Sequence, residues 1–215
     1  MNSKTACRFR AGSGDTPEPA PFTARATLAV ALLLSGGCGT AGGPAPAIRQ
    51  NAQSLRELRV LEEILASRND NDSRLDTGFN GLSPETKALF RQKYASLPAE
   101  ARNERGTIVY IIGKNLSQPE DWVFLEEVVR EKPCLSLQNC AAAAPAPDHE
   151  QHTVSVTLAY PALVALRQAG RAAGGGDNRR AVAVAEAARL SESRTISNAA
   201  VRLELELLRP AGKTP

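Results

Sequence analysis

Two histidines lie beside two acidic residues in the second half of the chain, and together they could bind a metal ion. The four residues are Asp148, His149, Glu150 and His152. Imidazole nitrogens and carboxylate oxygens are common zinc ligands. The segment DHEQH differs from HExxH, which places two histidines on one helix face, and Ala and Pro crowd the residues before it. A solvated polar loop is therefore the simpler interpretation, and we predict no cofactor.

A second segment, residues 70–81, has some calcium-loop character because it carries three closely spaced aspartates. A calcium loop of the EF-hand type needs Gly at its sixth position and Glu at its twelfth. The chain has Leu75 and Gly81 there, so we predict an ordinary polar turn. The aspartates are Asp70, Asp72 and Asp76. The sequence also lacks a nucleophile elbow, a phosphate-binding loop and a dinucleotide fingerprint. We therefore predict that the protein is not an enzyme.

An apolar run at residues 26–34 follows Arg25 and is followed by small residues and Cys38. It is shorter than the ~20 residues that span a bilayer, and it fits the apolar part of a signal peptide. The stretch Leu34-Ser35-Gly36-Gly37-Cys38 resembles the lipobox of bacterial lipoproteins, although its leucine lies one position further upstream. The resemblance implies cleavage before Cys38, a lipid on Cys38 and a periplasm-facing place in the bacterial cell envelope.

Four cysteines are present, and cleavage before Cys38 would remove Cys7. Lipidation would consume Cys38, which leaves Cys134 and Cys140 in the segment KPCLSLQNC. An even remainder in an exported chain favours a disulfide. The spacing is longer than in most zinc half-sites, and two free thiols are the other alternative. Closing so short a ring would stabilise the fold by about 2 kcal/mol.

Composition and charge narrow the class of protein. Aromatic residues make up 4% of the chain and Ala is abundant, which favours packed helices over strands. The net charge is +3 over 215 residues, and most of it lies in the leader. No stretch is basic enough to track a phosphate backbone, so we predict no nucleic-acid partner.

Helical patterns follow one another along the chain after a tether rich in Gly and Pro. Ser54 and Glu57 match a capping box, Ser83-Pro84 is typical of a helix start, and residues 117–120 match a second capping box. Residues 99–115 favour a helix, although the apolar cluster in their second half could also form a buried strand. Trp122 has the helical spacing of a core residue.

Two helix pairs, at residues 106–131 and 161–190, look alike. Aligning Gly113 with Gly170 and removing the intervening residues 132–153 gives a period of 35 residues. Helix pairs repeated at this period are typical of α-solenoids. The segments IVYIIGKN…PEDWVFLEEVV and TISNAAVRLELELL are similar to HEAT repeats, which implies a short stack of antiparallel helix pairs. An irregular helical bundle is the alternative.

The predicted organisation follows from these patterns. It comprises a leader at 1–37, a tether at 38–53, a helical domain at 54–209 with an insertion at 133–153, and a tail at 210–215. We predict a non-enzymatic module that binds a protein partner in the envelope and reaches the membrane through the lipid on Cys38. The alternatives are a small metal-binding protein or metalloenzyme using residues 148–152, and a structural envelope protein without a specific partner.

Overall fold

The computed structural model describes residues 46–142 and 151–209, with side chains at 51–142 and 154–209. This part of the chain is helical and contains no strand, which confirms the predicted all-α fold. The helices are α1 (Pro46–Ser67), α2 (Arg74–Thr77), α3 (Pro84–Ser96), α4 (Arg102–Lys114), α5 (Pro119–Arg130), α6 (Gln151–Leu158), α7 (Tyr160–Ala173), α8 (Asn178–Arg189) and α9 (Arg194–Leu207). None of the described helices combines the length and apolarity needed to cross a membrane.

The start of α1 differs from the prediction. The helix begins at Pro46, so residues 46–53 of the predicted tether are helical, and Ser54 lies within α1 instead of capping it. Proline is favoured in a first turn, and the Ala, Arg and Gln that follow are good helix formers. The buried Ser54 hydroxyl instead accepts a hydrogen bond from Thr86 on α3, at 2.9 Å.

The start of α3 is as predicted, and that of α5 is displaced by one residue. Ser83 caps α3 by accepting a hydrogen bond from the Thr86 amide at 3.1 Å, with Pro84 in the first turn. At α5 the capping carboxylate belongs to Asp121 and not to Glu120 of the predicted box. It accepts hydrogen bonds from the amides of Ser117 and Gln118, each at 3.0 Å.

The apolar cluster at 108–112 is helical, not a strand. Ile108, Val109, Ile111 and Ile112 are all fully buried within α4. Gly106, Thr107 and Gly113 are buried as well, so neighbours surround the helix and α4 runs through the core. Trp122 on α5 is also buried, as its spacing predicts.

Two predicted loops contain helix. Residues 68–81 include the short α2, and Leu75 of α2 and Phe79 just after it are buried in the core. The predicted insertion at 133–153 overlaps the first turn of α6. Residues 143–150 of that insertion lie outside the described part of the chain.

Two helix contacts, α4 on α7 and α7 on α9, are alike in that each has a glycine where the two helices meet. Helix α4 packs on α7, α7 packs on α9, and α5 packs on both α7 and α8. A Cβ on Gly113 of α4 would meet the Gln168 side chain of α7, and a Cβ on Gly170 of α7 would meet Leu203 of α9. The two contacted residues are 35 positions apart, which equals the period of the sequence repeat. Glycine at both places lets the helices approach closely.

Candidate functional site

The predicted pairing of Cys134 with Cys140 is confirmed, since the two sulfurs are bonded and their Cα atoms lie 4.0 Å apart. The loop that the bond closes is fastened to the start of α4. Arg102 donates a hydrogen bond to the Leu137 carbonyl at 2.9 Å, and the Cys140 amide donates one to Glu100 at 3.0 Å. The disulfide therefore shapes one end of the helical domain.

The other predicted site residues lie outside what the structure describes. Cys38 belongs to the first 45 residues, which are not described. Asp148, His149 and Glu150 are likewise outside, and so is the side chain of His152 on α6. Within the described residues no three His, Cys, Asp or Glu side chains are grouped so as to hold a metal ion.

A cleft of about 430 Å³ lies where the loop before α2 faces α4 and α7. We call it the α7 cleft, because α7 supplies most of one wall. Side chains from distant parts of the sequence meet in it, including aspartates, two tyrosines, two arginines and a buried glutamine. They are Asp70, Asp72, Asp76, Tyr110, Tyr160, Leu163, Val164, Arg167, Gln168 and Arg171, together with Asn71, Leu75, Thr107 and Val156.

Asp70, Asp72 and Asp76 form one wall of the α7 cleft, which we call the acidic wall. Two of these three carboxylates already accept hydrogen bonds from other residues of the chain. Asp72 accepts hydrogen bonds from the Arg74 guanidinium, the shortest at 2.8 Å, and this contact lowers the pKa of its carboxyl group. Asp76 accepts a hydrogen bond from the Tyr110 hydroxyl at 2.8 Å. Only the exposed Asp70 makes no ion pair or hydrogen bond with another described residue.

Backbone contacts fix the acidic wall against α4. The Lys114 ammonium donates hydrogen bonds to the carbonyls of Leu75 and Asp76, at 3.1 and 2.8 Å. Next to it, the Asn115 amide donates to the Phe79 carbonyl at 2.8 Å and accepts from the Gly81 amide at 2.8 Å. The end of α4 therefore holds the loop in one position, which pre-forms the cleft.

Both tyrosines of the cleft are neutral hydrogen-bonding groups. The hydrogen bond to Asp76 is the main cause that raises the pKa of Tyr110. Burial is the main cause that raises the pKa of Tyr160, and the nearby negative charge of Asp70 adds to it. Neither phenol ionises near neutral pH, so neither can act as a base or a nucleophile there.

The wall formed by α7 offers hydrogen-bond donors without partners. Arg167 and Arg171 lie one turn apart and exposed, and neither guanidinium group makes an ion pair or hydrogen bond with another described residue. Gln168 between them is 2% exposed, and its Nε2 has no hydrogen-bond partner. A buried amide without a partner costs about 1–3 kcal/mol.

Lys87 and Ser117 form a second arrangement that resembles a nucleophile with its base. The Lys87 ammonium donates to the Ser117 hydroxyl at 2.8 Å, to the Asp121 carboxylate at 2.6 Å and to the Asn115 carbonyl. A base for serine must be an unprotonated amine with a free lone pair. Here all three N–H bonds of the ammonium are directed at acceptors, so the group holds α3 to α5.

Comparison with known proteins adds no relative. No protein-family model, no curated protein and no solved structure matches the chain.

Sequence reasoning missed the α7 cleft. Its walls come from segments that lie about 30 to 100 residues apart, and only the fold brings them together. One signal was available in α7, where Tyr160, Leu163, Arg167 and Arg171 follow at the three-to-four-residue spacing of one helix face. One aromatic and one aliphatic residue followed by two arginines on a single helix face are typical of a surface that contacts another protein.

Proposed function

We propose that this chain is a non-enzymatic interaction module of the bacterial cell envelope that binds a protein partner through the α7 cleft. The observation that carries the proposal is the set of donors on α7, where two exposed arginines flank a buried glutamine amide without a partner. Arginine and tyrosine are among the residues that are enriched at the centres of protein interfaces. A partner segment that supplies hydrogen-bond acceptors would pair with the two exposed arginines.

The chemistry of the cleft supports binding over catalysis. Its described lining contains no histidine, cysteine or serine, and its one threonine, Thr107, donates its hydroxyl to the Asn103 carbonyl at 3.0 Å. Both tyrosines have raised pKa values and stay neutral near neutral pH. Groups of this kind fix the position of a bound segment, whereas a nucleophilic mechanism requires an activated side chain beside a base.

The proposed architecture is a short HEAT-like stack. The contacts of α4 with α7 and of α7 with α9 support it, because successive first helices of a solenoid pack in this way. The 35-residue spacing between the contacted residues Gln168 and Leu203 supports it further. The α7 cleft would then lie on the face formed by the first helices of the pairs.

The proposed location rests on residues 1–38 and on the disulfide. The signal-like run before Cys38 implies export and lipidation, and a bonded Cys134–Cys140 pair suits an oxidising compartment. In a membrane fractionation, Cys38→Ala should move the exported protein into the soluble fraction. Persistent membrane association of the variant would contradict the lipid anchor without affecting the cleft.

Site-specific crosslinking in the native cell tests the binding role. A photo-crosslinking residue at position 163 lies in the α7 cleft, and one at the exposed position 56 on α1 serves as the matched control. We expect a discrete protein adduct from position 163 and none from position 56. Adducts of equal yield from both positions, or from neither, would refute the proposal.

A further inference from the structure

We infer that the segment bound by this module is an acidic peptide, which lies from the α7 cleft across α7 into a groove between α7 and α9. The inference rests on the proposed function and names the chemistry of the partner. It is carried by the charge of the surface that the peptide would cross. No described acid forms an ion pair with the arginines along this path.

The groove between α7 and α9 is open, has a volume of about 890 Å³ and adjoins the α7 cleft. The two share Leu163, Arg167 and Arg171, which therefore form a ridge common to both. A single bound segment that crosses the ridge would contact both arginines at once.

Two further arginines extend the positive charge along the far side of the groove. Arg202 and Arg209 on and after α9 line it, against the single carboxylate of Glu206. Neither arginine forms an ion pair with a described residue, whereas Arg189, nearby on α8, is paired with Glu204 at 3.3 Å. Uncompensated guanidinium groups along a groove attract carboxylates and bind them in bidentate geometry.

The α7 cleft supplies an anchor for an apolar or aromatic side chain. Tyr110, Tyr160, Leu163 and Val164 are partly exposed there, and aromatic rings contribute contact area with little loss of side-chain entropy. The bound segment would thus place one apolar side chain in the cleft and carboxylates on the ridge.

The acidic wall argues against a uniformly anionic ligand. Asp70, Asp72 and Asp76 border the same cleft within reach of anything seated in it, and they would repel a phosphate backbone or an anionic lipid surface. A peptide can carry its acids on one side of its anchor only. Its acidic end would therefore point from α7 towards α9, away from the aspartates.

Selection from a random peptide library displayed on phage tests the inference, using the immobilised full chain. The library is panned on the unmodified protein and counter-selected on Arg167→Glu/Arg171→Glu. We expect enrichment of sequences with an aromatic or aliphatic residue followed by Asp and Glu. Enrichment of neutral or basic sequences, or no enrichment over the counter-selected pool, would overturn it.

The enriched peptide is then labelled and its affinity measured by fluorescence anisotropy. Arg167→Glu/Arg171→Glu should weaken binding by about tenfold or more, since each reversal replaces an attraction with a repulsion. The matched control is Arg56→Glu/Arg59→Glu, which reverses two exposed arginines on α1 and should leave the affinity unchanged. Equal weakening by both variants would show general charge attraction and overturn the site. Tighter binding of a single-stranded RNA than of the peptide would overturn the partner class.

This experiment and the crosslinking experiment fail independently. An adduct at position 163 with no acidic enrichment would leave the proposed binding role standing and reject the acidic peptide. Acidic enrichment without an adduct in the cell would confirm the surface chemistry and reject the proposed cellular role.

Discussion

The ammonium of Lys87 lies 2.6 Å from the carboxylate of Asp121, and each side chain is 1% exposed. Asp121 also accepts a hydrogen bond from Arg91 at 3.1 Å and from two backbone amides at the start of α5. The pair joins α3 to α5 inside the domain. Its full set of hydrogen bonds offsets the cost of burying two charges.

Lys87→Met should destabilise the protein by about 3 kcal/mol or more, because it leaves a buried carboxylate without its main partner. The measurement is the free energy of unfolding in urea. Lys93→Met on the same helix is the matched control, since Lys93 pairs with Glu62 near the surface at 2.8 Å. It should cost less than about 1 kcal/mol. Equal losses from the two variants would show that burial does not strengthen the Lys87–Asp121 contact.

Asp121 should make the stability depend on pH in the acid range. Burial alone would raise the pKa of this carboxyl group, but the hydrogen bonds from Lys87 and the Ser117 and Gln118 amides outweigh it, so the pKa lies below its ordinary value of 3.8. The stabilisation by Asp121 is therefore complete above the pKa of the unfolded chain. It is lost as the pH falls through the lower pKa of the folded protein.

Urea unfolding of the unmodified protein and of Asp121→Asn measures this contribution. The difference in free energy should be constant between neutral pH and about pH 5, and it should shrink below about pH 4. Other carboxylates affect both proteins alike and cancel in the difference. A difference that grew on acidification would mean that the pKa of Asp121 is raised in the folded state.

Gly113→Ala should destabilise the contact between α4 and α7. An added Cβ would lie 2.5 Å from the Cβ of Gln168, which cannot swing away as the end of a side chain can. Overpacking costs about 1–3 kcal/mol, and the better helix propensity of Ala returns up to about 1 kcal/mol. We therefore expect a net loss of about 1–2 kcal/mol on chemical denaturation. Gly174→Ala, at the exposed end of α7, is the control and should be neutral or slightly stabilising.

Replacing both cysteines of the disulfide, as Cys134→Ser/Cys140→Ser, should lower the free energy of unfolding by about 2 kcal/mol. The reason is that the closed loop restricts the unfolded chain, while Arg102 and Glu100 still hold the loop in the folded protein. A reducing agent should lower the stability of the unmodified protein to that of the variant and leave the variant unchanged. An effect of the reducing agent on the variant would assign the stability loss to another cause.

The sequence predicted the helices better than their ends. The period around Gly113 and Gly170 marked two helix pairs because apolar residues and small residues recur with the helical spacing. The predicted start of α1 was wrong because Ser54 and Glu57 have the residue types of a capping box but do not cap the helix. Both side chains instead hydrogen bond to Thr86 of α3, and such a partner is visible only in the fold.

The buried ion pair and the α7 cleft could not be predicted from the pattern of any single segment. Lys87 sits with Phe90 and Tyr94 on the inward face of α3, where its spacing marks it as a core position but its charge argues for solvent. Only Asp121, 34 residues later, explains it. Likewise the aspartates at 70–76 read as a polar turn until α7 is placed opposite them.

The contact of α4 with α7 and that of α7 with α9 differ in the polarity of the side chain that faces the glycine. Leu203 fills its place opposite Gly170 with an apolar side chain, whereas the corresponding place opposite Gly113 holds Gln168 with its unpaired Nε2. A leucine at 168 would remove that buried amide and give a more stable protein. For a chain that binds through the α7 cleft, as we propose, the glutamine at position 168 would exchange stability for a polar group in the cleft wall.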